Sequence, residues 1–171
     1  QLDIEMSFVD QSDVFNVIEK LMTKVFTKFS TKKMLYEKFP RIKYSEALKT
    51  YGSDKPDLRN PLKIYDLTDV FTRDDVKFEI FKKLLKKGSI VRGIVTKQTI
   101  DQPRSFFDNI DKWAKSEGAS GLAYFSIEKD KNISGKGPIG KFFSENALKE
   151  IMKISSAEIG DSIFLACGAT K

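Results

Sequence analysis

The chain begins with a strict alternation. In QLDIEMSF, Leu2, Ile4, Met6 and Phe8 fall on one side and Gln1, Asp3, Glu5 and Ser7 on the other. This is the period-two pattern of a strand with one buried face. The period then changes. Val14, Phe15, Val17, Ile18, Leu21, Met22, Val25, Phe26 and Phe29 recur at helical spacing. They predict a helix over residues 14–29, with Asp10 or Ser12 as its N-cap and Asp13 favourable at the positive end of the dipole. The stripe spans about half the helix circumference, so it needs both a sheet and a neighbour to cover it. The opening strand cannot supply both, and the pattern therefore predicts further chain around this pair.

Ser30-Thr31-Lys32-Lys33 ends the helical period, and residues 39–44 read as extended, with Pro40 biasing its predecessor away from helix. Ser45 is placed to cap a short helix over 45–51 that stops at Gly52. Residues 53–61 are polar, contain Pro56 and Pro61 and have no apolar period. They mark a boundary between domains at 1–60 and 61–171. Beyond it the pattern predicts a short strand at 63–67, a turn or helical piece at 69–71, and strands at 77–81 and 90–95 joined through 82–88. A helix over 105–117 follows, with Phe106, Phe107, Ile110, Trp113 and Ala114 on one face, Pro103 near its start and Gly118 at its end. Then come a strand at 122–127, a helix from Ser144 to about 154, and a last strand at 162–166 reached through Gly160-Asp161. The economical arrangement is α+β: a two-layer domain of mostly antiparallel sheet and two main helices, with an N-terminal strand–helix piece.

Composition narrows the chemistry. The 171 residues are 40% hydrophobic and 32% charged, without a repeat or low-complexity tract. Fourteen Phe against one Trp and five Tyr imply a core of packed phenyl rings. No apolar run approaches the roughly 20 residues of a membrane span, and no signal-peptide pattern opens the chain. The single cysteine, Cys167, cannot form an internal disulfide and suits a reducing, cytoplasmic setting. With no histidine, Ser-His and Cys-His nucleophiles and His-ligated zinc are excluded. Acid–base work would fall to Asp, Glu, Lys or Tyr. The net charge of +6 leans toward polyanions.

Four features carry candidate chemistry. Asp3 and Glu5 share a strand face with Cβ atoms roughly 6.5–7 Å apart, open to acid–base work, a metal, or plain solvent exposure. Residues 131–141 hold Gly135, Gly137 and Gly140 with Lys131, Lys136 and Lys141, but the order GxxxxGK[ST] is absent and Pro138 has no N–H to give. That stretch reads as a flexible basic loop. Lys82, Lys83, Lys86 and Lys87 around Leu84-Leu85 read as a solvated turn. Cys167 reads as a small core residue.

Three stretches together resemble the bacterial-type aspartyl-tRNA synthetases. QLDIEMSF resembles the second strand of the motif 2 hairpin of the class II catalytic domain. Phe39-Pro40-Arg41-Ile42, Tyr44, Glu46-Ala47 and YGSDKPDLR (51–59) resemble the segment that follows it. Gly121-Leu122-Ala123-Tyr124 through Gly160-Asp161-Ser162-Ile163-Phe164 resembles the inserted GAD domain shared with amidotransferase subunits. The resemblance runs in order over nearly the whole chain. It implies a piece of a larger enzyme that activates L-aspartate with ATP and Mg2+ and esterifies it to tRNA(Asp), with tRNA(Asn) as a second acceptor in some relatives. It places Gln1 and Asp3 at the aspartate pocket, with Asp3 accepting from the substrate's α-ammonium and Glu5 in a supporting role.

The phosphate-gripping arginine of motif 2 is expected before Gln1, and that of motif 3 after Lys171. The chain would then hold no catalytic residue, metal or cofactor of its own and be inactive and monomeric alone, whereas the parent is a homodimer. Residues 51–59 would connect the catalytic part to the insertion, their basic ends near the tRNA acceptor arm. Two other readings compete: a non-enzymatic RNA-binding or interaction module, and a subunit of a tRNA-dependent amidotransferase.

Overall fold

A computed structural model describes residues 1–169. The chain divides into two compact units, the second beginning at Tyr44. In the first unit, α1 spans Gln11–Phe29. Asp10 is its cap: Asp10 Oδ1 accepts from the backbone N–H of Ser12 (2.7 Å) and Asp13 (3.1 Å), while Asp13 Oδ2 accepts from the N–H of Asp10 (3.1 Å). This reciprocal box satisfies amides that the helix cannot pair internally. No residue of α1 is buried; Phe26, for example, is 45% exposed. The stripe thus exists as expected and is uncovered within this unit.

The expected opening strand does not form. Residues 1–9 are irregular and exposed, and Phe8 turns the chain at a φ of 56°. Alternation specifies which side a residue would face, but a strand also needs a partner for its N–H and C=O groups. Among the described residues no strand pairs with it.

The second unit is built in chain order from α2 (Tyr44–Tyr51), β1 (Ile64–Asp66), α3 (Thr68–Thr72), α4 (Glu79–Leu85), β2 (Ile90–Thr96), α5 (Arg104–Ser116), β3 (Ala123–Lys129), β4 (Ile133–Lys136), a 3-10 turn (Gly140–Phe142), α6 (Glu145–Ser155) and β5 (Ser162–Gly168). The sheet order is β1-β2-β5-β3-β4, and every neighbouring pair is antiparallel. The unit begins at Tyr44, earlier than the residue 60/61 division suggested by the polar stretch. Ala47 of α2 is buried, and Ile64 Cδ1 reaches to 3.4 Å from where a Cβ on Gly52 would sit. The helix also starts at Tyr44, so Ser45 lies inside its first turn rather than capping it.

Alternation along the central strands sorts the core. Phe125, Ile127, Ile163, Leu165, Val91 and Val95 pack with α3, α4 and α6 through Val70, Phe71, Phe81, Leu148 and Ile151. Phe71, Phe81, Phe143 and Phe125 form a chain of ring contacts, with successive centroids 5.2, 5.5 and 4.7 Å from Phe71–Phe81 through Phe71–Phe143 to Phe125–Phe143. Tyr124 and Phe164, paired in register, point to the opposite face, where Phe107 of α5 stacks on Tyr124 at 4.3 Å and on Phe164 at 5.7 Å. The sheet is therefore covered on both faces. The two-layer expectation gives way to three layers over β3 and β5.

Two further expectations are corrected. Residues 77–81 are not a strand: α4 begins at Glu79. Phe78 and Phe81, three apart, face the same aromatic core (centroids 4.8 Å apart), and Leu85 continues that side. Residues 131–141 are not a flexible loop: Ile133–Lys136 pairs with β3 as an edge strand. Gly135 and Gly140 then meet so closely that a Cβ on Gly140 would lie 2.1 Å from the Gly135 oxygen.

α6 starts as expected at Ser144, whose Oγ accepts from Ala147 N–H (3.0 Å) and donates to Asp75 Oδ2 (2.5 Å). Asp75 also holds Arg73 through two contacts of 2.8 and 2.9 Å. The Arg73 guanidinium and the Ser144 hydroxyl hold the Asp75 carboxyl far below the usual carboxylate range. Ser144→Ala should cost about 1–2 kcal/mol, since it removes a helix cap and a charge-assisted bond together. Urea unfolding of the variant, with an unchanged m-value, measures this.

Candidate functional site

The residues that the resemblance assigns to a substrate pocket lie in the irregular opening segment. Gln1 Nε2 donates to Asp3 Oδ1 at 3.1 Å and to Oδ2 at 3.4 Å, and both side chains are exposed. Glu5 is exposed and makes no side-chain hydrogen bond among the described residues. Gln1 and Asp3 thus meet, and Glu5 stays apart. A carboxylate with an amide already oriented against it can receive a cation.

After α1 the chain returns along the same helix. Phe39 N–H donates to Glu19 Oε1 at 2.8 Å, Arg41 Nη2 donates to Asn16 Oδ1 at 3.2 Å, and the Arg41 guanidinium lies 5.1 Å from the Phe15 ring centroid. Between the helix and the irregular returning segment is a groove of about 440 Å³, walled largely by Phe15, Ile18, Met22, Phe26, Phe39 and Ile42. Its wall is mainly apolar; the two charged side chains on it, Glu19 and Arg41, are engaged by the Phe39 N–H and by Asn16 Oδ1.

The second unit holds a polar cluster around Asp161, a residue the pattern marks only as the entry to the last strand. Asp161 has a side-chain exposure of 0%. Its Oδ1 accepts from Gln98 N–H at 2.9 Å, its Oδ2 from Glu158 N–H at 2.8 Å, and Lys97 Nζ reaches Oδ2 at 2.9 Å. Burial pushes this carboxyl up. The Gln98 and Glu158 amides and the Lys97 ammonium outweigh that and leave it below its ordinary value. Lys97 is correspondingly raised by Asp161. Every oxygen is occupied, so the cluster clamps the turn after β2 to the turn before β5 and has no lone pair directed at a ligand. The signal in the sequence was an Asp between Gly160, at a φ of 92°, and a strand start.

Other sequence candidates are structural here. In the connector, Lys55 pairs with Asp54 at 3.0 Å and Arg59 with Asp57 at 2.6 Å, so its basic ends are locally neutralised. Cys167 is half-buried against the core, and burial raises its thiol pKa. Among the described residues no three Asp, Glu or Cys side chains converge as metal ligands.

The profile of tRNA synthetases class II (D, K and N) matches residues 1–155, across both units. The chain belongs to the class II tRNA synthetases. Among its relatives, the aspartate–tRNA(Asp/Asn) ligase of Pelagibacter ubique (strain HTCC1062) is 73% identical over 168 residues, covering 98% of this chain and 28% of that protein. The ligase of the same description from Beijerinckia indica is 49% identical over 168 residues, again 98% and 28%. That of Ehrlichia canis (strain Jake) is 51% identical over 164 residues, covering 96% and 27%. This class II synthetase chain thus spans little more than a quarter of the curated relatives it matches. Its helices and five-stranded antiparallel sheet are consistent with a segment of such an enzyme.

Proposed function

We propose that the chain is the part of an aspartate–tRNA ligase that runs from the second strand of motif 2 through most of an inserted GAD-like domain. Residues 1–60 belong to the catalytic domain and 61–171 to the insertion. The observation that carries this is the 73% identity sustained over 98% of the chain, starting within the alternating segment itself. A family match beginning at residue 1 supports the ligase over the amidotransferase reading and over a free-standing RNA-binding module.

The parent enzyme joins L-aspartate to ATP as an adenylate with Mg2+ and transfers it to tRNA(Asp). It also accepts tRNA(Asn), a reading that rests on the descriptions its relatives carry. It works as a homodimer in the cytoplasm. Within it, Asp3 accepts hydrogen bonds from the substrate's α-ammonium, Gln1 holds Asp3 in place, and Glu5 supports them. A cation taken from water needs a fixed anion. The opening segment supplies one once a pairing strand converts its alternation into a rigid ridge.

The chain alone clamps neither end of the triphosphate, so it should give no aspartate-dependent pyrophosphate exchange. Substituted for the matching segment of the P. ubique ligase, it should support tRNA(Asp) charging within about tenfold of that enzyme, since 73% identity leaves packing volumes largely conserved. Exchange by the isolated chain, or a soluble chimaera that cannot charge tRNA(Asp), overturns the proposal.

A further inference from the structure

The lysines that pattern reading took for a solvated turn are joined in the fold to one from a distant segment. Val76 bridges to Phe143, and the N–H of Lys77 donates to the Phe142 carbonyl at 2.7 Å. These contacts put Lys77 beside Lys141, whose ammonium sits 5.3 Å from the Phe142 ring centroid. From Lys77 the chain enters α4, which carries Lys83, with Lys86 and Lys87 at its C-terminal end. All five lysines are exposed, and none forms an ion pair among the described residues. The neighbouring Lys82 differs, since its Nζ donates to the Arg73 carbonyl at 2.7 Å. The exposed acids alongside are Glu79 and Asp74. At about 1.5 Å of rise per helical residue, the seven residues of α4 separate Lys77 from Lys86 and Lys87 by roughly 10 Å of helix.

We infer that this band is a docking surface for the phosphate backbone of duplex RNA. The inference rests on the tRNA ligase reading for the identity of the nucleic acid. The band has the composition of a sequence-independent backbone contact: flexible point charges, no clustered arginine forks and no aromatic stacking platform. Charge complementarity selects the occupant. A membrane surface would need apolar anchors, and the band offers only Ile80. The basic C-terminus of α4 is also favourable to the helix dipole, but that does not require Lys141 to be brought to Lys77 across the fold.

The test is the salt dependence of binding of a duplex RNA of unrelated sequence to the 171-residue chain, from 50 to 200 mM KCl. Each lysine that releases a counterion contributes about 0.7–0.9 to the slope of log K against log salt. Replacing Lys77, Lys83, Lys86, Lys87 and Lys141 together by alanine should lower the slope by about 2–4 and weaken binding at least tenfold at 100 mM. Lys82→Ala, and joint replacement of Lys20, Lys24, Lys28, Lys32 and Lys33 by alanine, should leave the slope within about one unit. An unchanged slope in the five-lysine variant, or an equal fall in the controls, overturns the inference. So does loss of binding to phosphatidylserine vesicles without loss of RNA binding. The ligase reading fails separately: a chimaera that cannot charge tRNA while the slope still falls removes the ligase and leaves the band.

Discussion

Asp3→Ala, placed in the chimaeric ligase, is expected to lower kcat/KM for aspartate by about 10²–10³-fold. Removing one partner of a desolvated, hydrogen-bonded charge pair costs about 2–5 kcal/mol, much of it from leaving the other charge unpaired. Here the stranded group would be the α-ammonium of the substrate. Because that ammonium is present before and after the adenylate forms, the loss should fall mainly on the KM for aspartate, with kcat and the KM for ATP little changed. Asp3→Asn retains an acceptor without the charge and should lie between. Gln1→Ala removes the amide that orients Asp3 at 3.1 Å and should cost less than Asp3→Ala. Steady-state pyrophosphate exchange resolves these terms, and an Asp3→Ala chimaera with the parent's KM for aspartate sinks the assignment.

The second large effect is structural. Asp161→Ala should destabilise the second unit by about 3 kcal/mol, because it leaves the Gln98 and Glu158 amides without acceptors at a fully buried site. The partly exposed Lys97 adds less, since solvent screens it. The carboxyl is held below its ordinary value in the fold. A group shifted in that direction stabilises the fold above its unfolded pKa of about 3.9 and loses that contribution as pH falls through the folded value. The unsubstituted chain should therefore lose stability on acidification below about pH 4, and Asp161→Asn should flatten that part of the profile. Chemical unfolding from pH 7 to pH 2.5 reads both effects. An Asp161→Ala variant as stable as its parent at pH 7 would show that other contacts close these turns.

Helices were the most legible part of the sequence. α1, α5 and α6 each carry their own period and their own stop or start signals, such as the Asp10–Asp13 box and the Ser144 cap. α4 was misread because Phe78 and Ile80 alternate over too few residues. The decisive spacing, Phe78 to Phe81 to Leu85, emerges only once the aromatic core is known. The opening segment failed for a different reason: pairing is a property of two strands, and one of them was invisible. β4 was hidden by Gly135 and Gly137, which usually mark loops. The third layer was equally hidden, since nothing local tells on which side of a sheet a helix will pack. As for the candidate site, the alternation singled out Asp3 and Glu5, and the resemblance added Gln1 and proposed a role for all three. The Asp161 clamp stayed unseen because only Glu158 is its sequence neighbour, whereas Gln98 and Lys97 reach it from the far end of β2.

The position of β5 has a consequence for how this polypeptide acquires its shape during synthesis. Among the described residues β1 pairs only with β2, and β4 only with β3; the two ribbons are joined through β5. Yet β5 is the last of the five to leave the ribosome. Until Ser162–Gly168 arrives, the nascent chain holds two separate hairpin-like halves with their inner edges bare, so closure is a late, long-range event. The segment that completes the architecture is thus also its timekeeper.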